Sequence, residues 1–127
     1  AYWRWAMNLE PAWTWPGFDW LAGELIGVAL VEEWFFRGYL MPRVRGALGV
    51  RDGTNGSPTV HPLGATNLIQ SAVFAAVHLI AVPSPYRLMV FFPGLGFGWL
   101  AGWRRGLGAA ITAHWVANVF ARAFFGL

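Results

Sequence analysis

The chain has 127 residues, of which 57% are hydrophobic, 17% aromatic and only 12% charged, with a formal net charge of +3. Because an ordinary soluble domain carries about 25% charged residues, this composition excludes a typical soluble domain and predicts a membrane protein. The absence of cysteine excludes disulfides and a cysteine nucleophile, and the arginines flank apolar runs without forming a basic stripe, which excludes a nucleic-acid-binding surface.

The first part of the chain predicts an interfacial segment followed by a spanning helix. Residues 1–19 hold four tryptophans, two prolines and scattered charges, a mixture that suits the lipid headgroup zone. Residues 20–42 are mostly apolar and have about the twenty residues that a membrane-crossing helix needs. The sequence begins with Ala and lacks a charged region with a cleavage site, so we expect no signal peptide and a chain that is part of a longer one.

Three more helices are predicted after a polar loop at residues 43–62. They cover residues 63–82, 86–103 and 107–125, separated by prolines and by a pair of arginines. The predicted fold class is therefore all-α, a polytopic transmembrane bundle of four spanning helices over residues 20–127. The arginines concentrate in the first and third loops, which the positive-inside rule places in the cytoplasm with both termini outside.

Small residues recur every four positions in the last two predicted helices. Such spacing lets helix backbones approach closely in lipid. The two series are Gly94, Gly98, Gly102 and Gly106, and Ala109, Ala113, Ala117 and Ala121.

Three charged residues lie close together at residues 29–40, inside the first apolar segment. A charge at the bilayer centre costs about 2.5 to 3.5 kcal/mol on insertion scales, so each should be paired and face protein or water. Glu33 and Arg37 are four residues apart and predict an ion pair on one helix face, with a structural role. Glu32 lies about 100° around the helix and has no local partner of opposite charge.

The second and fourth predicted helices supply polar side chains at a similar depth. Phe74 and His78 share a face of the second helix, and His114 and Asn118 share a face of the fourth. At 1.5 Å per residue, Glu32, His114 and His78 lie roughly 15, 12 and 22 Å from the arginine side. Either histidine alone is better explained as an interhelical hydrogen-bonding group, but their convergence with a spare carboxylate indicates a site.

The three motifs Glu-Glu-x-x-x-Arg, Phe-x-x-x-His and His-x-x-x-Asn occur in this order as "EEWFFR", "FAAVH" and "HWVAN". Together they resemble the CPBP family of intramembrane proteases, which includes the CAAX prenyl endopeptidases and their bacterial relatives, the Abi proteins and a myxosortase-like branch. The resemblance covers about residues 20–126. It implies that residues 20–127 form the core of a glutamate-dependent intramembrane endopeptidase.

The resemblance also implies roles for individual residues. Glu32 would be the general base, His78 would hold and polarise the attacking water, and His114 and Asn118 would stabilise the oxyanion. The supporting residues would be Glu33, Arg37 and Phe74. These roles agree with the chemistry, since a carboxylate in a low-dielectric pocket is a better base and His and Asn donors can stabilise a developing oxyanion.

A metal-free mechanism is expected, with no cofactor. The alternative is a zinc-dependent protease in which Glu32, His78 and His114 are the metal ligands. We favour the metal-free reaction because the His-Glu-x-x-His spacing is absent and Asn is a poor zinc ligand but a good oxyanion donor.

The expected substrate is a membrane-anchored or C-terminally tagged protein, cleaved in C-terminal processing or maturation. The other expected partner is the lipid bilayer, with no nucleic acid, and the expected location is the bacterial inner membrane as a multi-pass protein. Two non-enzymatic alternatives stay open. One is a membrane scaffold or immunity protein, and the other is a proton conduit, because intramembrane Glu and His also mark proton relays.

Overall fold

The computed structural model describes residues 15–49, 61–104 and 106–125. Every regular element in these ranges is a helix, so the all-α class is confirmed. The predicted interfacial segment lies mostly outside the described residues, as do Arg4, Arg51 and Arg105 among the loop and flanking arginines. Within the described ranges, no helix combines the length and the apolar character that a membrane crossing requires.

The N-terminal helical run consists of five abutting segments whose junction residues all keep right-handed helical angles. Two of the segments are π-helical, with backbone bonds from residue i to i+5 in place of i+4. In chain order the segments are α1 (Phe18–Gly23), π1 (Glu24–Ala29), α2 (Leu30–Glu33), π2 (Trp34–Leu40) and α3 (Met41–Ala47).

The run extends past Pro42, where the sequence predicted the first helix to end. Pro42 lies in the first turn of α3, a position at which a missing backbone N–H is tolerated. The helix therefore continues to Ala47, and Gly49 follows it with a positive φ of 65°, the left-handed conformation typical of a glycine after a helix end.

Three longer helices complete the fold. They are α4 (Ala65–Ala81), α5 (Phe91–Arg104) and α6 (Gly108–Phe125). The segment predicted as the start of the third helix is instead a 3-10 helix, Pro85–Val90. Val82 and Ser84, which precede Pro83 and Pro85, are extended, as expected for residues before proline.

Two members of the predicted glycine series, Gly94 and Gly98, lie at the contact between α5 and α4, whereas Gly106 is exposed and follows the end of α5. Gly94 and Gly98 are buried, and a Cβ atom built on Gly98 would lie 2.5 Å from Gln70 Nε2 and even closer to Asn67 Oδ1. Side chains of α4 therefore occupy the space that a larger residue on α5 would need. This close approach is the one expected from small residues at four-residue spacing.

The alanine series on α6 is displaced from the buried face. None of its four members is fully buried, and Ala117 is exposed. The buried alanines of α6 are Ala123 and Ala110, and Ala113 of the series is partly buried against the core. Ala110 lies four residues before His114 on the same helix face. It belongs to the apolar core with Met41, Phe97 and Ala101.

Candidate active site

Glu32 lies between two imidazole rings that come from different helices. Its Oε2 atom is 3.8 Å from Nε2 of His78 on α4 and 3.8 Å from Nε2 of His114 on α6. The Glu32 side chain is 27% exposed, yet Oε2 itself is buried and has no hydrogen-bond partner among the described residues. Glu32, the carboxylate without a local partner in the sequence, thus has one oxygen at the same distance from both histidines.

His114 is held by a carboxylate and by an aromatic ring. Its Nδ1 donates to Oε1 of Glu33 at 2.8 Å. Its ring stacks on Phe97 with centroids 4.8 Å apart and an angle of 13° between the planes. Only 4% of the side chain is exposed, so His114 has one well-defined orientation, with Nε2 toward Glu32.

His78 is oriented from within its own helix. Its Nδ1 is 2.9 Å from the carbonyl oxygen of Phe74, and because a carbonyl can only accept, Nδ1 is the donor. Nε2 is then the acceptor of the neutral ring. The Phe74 ring lies 4.4 Å from the His78 ring and 5.9 Å from the His114 ring, so Phe74 packs against both imidazoles.

The predicted ion pair between Glu33 and Arg37 is present, with Nη1 2.9 Å from Oε1 and both side chains fully buried. Arg37 also donates from Nη2 to the Gly94 carbonyl at 2.9 Å. Its guanidinium lies 4.6 Å from the Phe74 ring centroid and 5.5 Å from that of Phe97, within cation–π range. The pair therefore links the N-terminal run to α4 and α5.

Asn118, expected to stabilise the oxyanion, contacts a carboxylate that the sequence analysis did not consider. Its Nδ2 donates to Oε1 of Glu24 at 2.6 Å, so its known partner is Glu24 and not Glu32. The structure thus brings Glu32, His78 and His114 together, with Asn118 one turn further along the His114 face of α6.

Sequence reasoning missed two polar residues. Gln70 is fully buried and donates to Asn67, Ser71 and the Gly94 carbonyl. Its spacing from Asn67 by three residues was a usable signal, because residues three apart share a helix face. Glu24 also gave a signal, because it is a carboxylate inside the predicted first helix, but a regular α-helical repeat does not predict Asn118 as its partner.

The described residues do not present a metal-binding geometry. No group of three or more His, Cys, Asp or Glu side chains in these ranges could hold a metal ion. Within the same ranges, Nε2 of His78 and Nε2 of His114 are nonetheless free, because each ring is bonded through Nδ1. Zinc dependence therefore stays open as the alternative to the metal-free reaction.

Comparison with known proteins agrees with the motifs. A family model described as type II CAAX prenyl endopeptidase Rce1-like matches residues 13–120. The chain belongs to this family. The match contains all three motifs, and it confirms the family recognised from them. Because the Rce1-like family is a protease family, its membership supports a hydrolase. Searches of the curated proteins and of the solved structures found no match.

Proposed function

We propose that the chain is an intramembrane endopeptidase in which Glu32 is the general base for hydrolysis of a peptide bond. The observation that carries this proposal is the position of Glu32 Oε2, 3.8 Å from Nε2 of both His78 and His114. This distance is too long for a direct hydrogen bond and suits groups that share a water molecule.

The base step uses Glu32 and His78. Glu32 accepts one proton from the attacking water while Nε2 of His78 accepts a hydrogen bond from its other O–H group. The Phe74 carbonyl supports this role because it fixes the proton of His78 on Nδ1. The water oxygen then attacks the carbonyl carbon of the scissile bond, a general base contribution worth typically 10² to 10⁴ in rate.

The oxyanion step uses His114 and Asn118. When His114 also carries a proton on Nε2, that N–H donates to the oxyanion, and Glu33 at Nδ1 balances the positive charge of the ring. Asn118 supplies a second donor from its carboxamide. The tetrahedral intermediate collapses by breaking the C–N bond, and Glu32 transfers the proton it took from water to the leaving amine.

Membrane location is proposed from the outer surface of the helices and from the family. Large apolar side chains on several elements are exposed, among them Trp34, Ile80, Phe92, Val116 and Phe120. Lipid would cover such side chains, whereas a soluble monomer rarely exposes extended apolar patches. We propose a multi-pass protein of the bacterial inner membrane.

The proposed substrate is a membrane-anchored or C-terminally tagged protein, cleaved during its maturation. The reaction is proposed to need no metal, and zinc dependence is the alternative that a chelator test decides. The experiment below also tests three non-proteolytic functions, those of a scaffold, an immunity protein and a proton conduit.

The test compares wild-type protein with Glu32→Gln in liposomes supplied with a membrane proteome. New protein termini are identified by mass spectrometry, and Asp19→Asn is the matched control because Asp19 is exposed in the first turn of α1. Wild type and Asp19→Asn should generate the same termini, and Glu32→Gln should generate none while keeping its circular dichroism spectrum. Termini that persist in Glu32→Gln, or proton flux through wild-type liposomes without any proteolysis, would overturn the proposal.

A further inference from the structure

A second carboxylate, Glu24, contacts the candidate site from the N-terminal side. Its Oε1 accepts a 2.6 Å hydrogen bond from Nδ2 of Asn118, and both side chains are partly buried. Bonds of an amide to an ionised carboxylate are charge-assisted and stronger than those between neutral groups. Glu24 is 94 residues from Asn118 in the chain, so the bond joins the N-terminal run to α6.

The helix geometry of the N-terminal run brings Glu24 to this position. Glu24 and Glu33 are nine residues apart, and at about 100° per residue an α-helix would turn them to opposite faces. Both nevertheless contact α6, Glu33 through His114 and Glu24 through Asn118. The π-helical segment Glu24–Ala29 lies between them, and its wider turns change the rotation per residue. Such segments occur frequently at functional sites.

The Glu24 bond determines which way the Asn118 carboxamide faces. An Asn amide has two N–H donors on Nδ2 and an acceptor oxygen. With one N–H bonded to Glu24, the group is held against the half-turn flip that would exchange Nδ2 with Oδ1. The second N–H then keeps a fixed direction. A flipped amide would present its oxygen to an oxyanion and repel it.

We propose that Glu24 is a positioning residue that holds Asn118 as an oxyanion donor. This inference rests on the proposed function, in which Asn118 stabilises the oxyanion. Glu24 itself is about 12 Å of helix rise from Glu32, so it acts through Asn118 and not on the substrate. A purely structural bond between helices would affect folding. It would not couple the effect of Glu24 on kcat to the presence of Asn118.

The test is a double-mutant cycle measured with a quenched fluorescent peptide that spans a cleavage site identified in the liposome experiment. Asn118→Ala should lower kcat about 10²-fold, as expected for loss of one oxyanion donor, and Glu24→Ala about tenfold, each with little change in KM. The double variant should match Asn118→Ala alone, because Glu24 acts only through the amide. Glu24→Gln should recover most of the lost kcat, since its side-chain oxygen still accepts, and Asp19→Ala serves as the surface control.

Three results would overturn the inference. The first is a double variant whose loss of kcat equals the product of the two single losses. The second is a Glu24→Gln variant as slow as Glu24→Ala, and the third is an Asn118→Ala variant with normal kcat. Failure of the proposed function gives a different result, because Glu32→Gln would then cleave the peptide as well as wild type does.

A second measurement tests the positioning without catalysis. In protein labelled with ¹⁵N-asparagine, one Nδ2 proton of Asn118 should show the downfield shift of a short hydrogen bond, assigned by its loss in Asn118→Asp. The shift should disappear in Glu24→Ala and remain in Glu24→Gln. An Asn118 resonance that is unchanged in Glu24→Ala would also overturn the inference.

Discussion

Glu33 and His114 are 81 residues apart in the chain and form a buried hydrogen bond of 2.8 Å. The same oxygen, Oε1 of Glu33, accepts from Arg37 at 2.9 Å. A single carboxylate oxygen therefore anchors both the guanidinium and the imidazole. The orientation of His114 toward Glu32 follows from this arrangement, because the bond at Nδ1 leaves Nε2 as the free ring nitrogen.

Glu33→Gln should lower stability more than Glu32→Gln does. The substitution leaves the fully buried Arg37 without its counter-charge, and breaking a buried pair from one side costs about 3–5 kcal/mol. Glu32 has no such pair, so Glu32→Gln should unfold close to wild type. Thermal unfolding in detergent, followed by circular dichroism, gives the comparison. Equal unfolding temperatures for the two variants would contradict the assignment of Glu33 as the anchor.

Phe97→Leu should slow the reaction, and its unfolding temperature must be measured alongside because Phe97 belongs to the apolar core. The flat Phe97 ring stacks on His114, and an aromatic pair contributes about 0.5–1.5 kcal/mol beyond burial. Loss of this stacking energy in the transition state would lower kcat roughly two- to tenfold, because about 1.4 kcal/mol corresponds to a factor of ten in rate. The matched control is Phe92→Leu, because Phe92 is on the same helix and 61% exposed. Steady-state kinetics in which both variants slow equally would show that the stacking is not involved.

Peptide cleavage should survive removal of metal ions. No group of His, Cys, Asp and Glu in the described ranges has a geometry that could hold a metal, and the proposed steps need only Glu32, the two histidines and Asn118. Wild-type protein dialysed against EDTA and assayed with 1,10-phenanthroline should therefore retain its kcat. Loss of cleavage that zinc restores would establish the zinc-dependent alternative, and elemental analysis of the purified protein provides an independent check.

Much of the candidate site was predictable from spacing alone. Residues four apart share a helix face, and this rule paired Glu33 with Arg37 and placed Phe74 beside His78, as the structure has them. It left Glu32 without a local partner, and the two imidazoles nearest its Oε2 come from the other two motifs.

The unpredicted features depend on information that a regular helix pattern does not carry. The partner of Asn118 is Glu24, and the α-helical repeat cannot place it there because the π-helical segment Glu24–Ala29 alters the repeat. The buried alanines of α6 are Ala110 and Ala123, outside the alanine series, and Ala110 shares a helix face with the buried His114. Tertiary contacts determine both features.

Gly98→Ala and Gly96→Ala should change stability in opposite directions. A Cβ at position 98 would displace Asn67 and Gln70, which are fully buried and hydrogen-bonded to each other, and overpacking of this kind costs about 1–3 kcal/mol. Position 96 has no atom within 4 Å of an added Cβ, so alanine there should stabilise the helix by up to about 1 kcal/mol.

The same pair of variants also tests the link from α4 to the site. Gln70 and Arg37 both donate to the carbonyl of Gly94, so displacing Gln70 in Gly98→Ala should disturb Arg37 and, through Glu33, the orientation of His114. Cleavage should therefore fall in Gly98→Ala and persist in Gly96→Ala, with unfolding temperatures measured on the same samples. A Gly98→Ala protein as stable and active as Gly96→Ala would show that the close approach of α5 to α4 does not support the site.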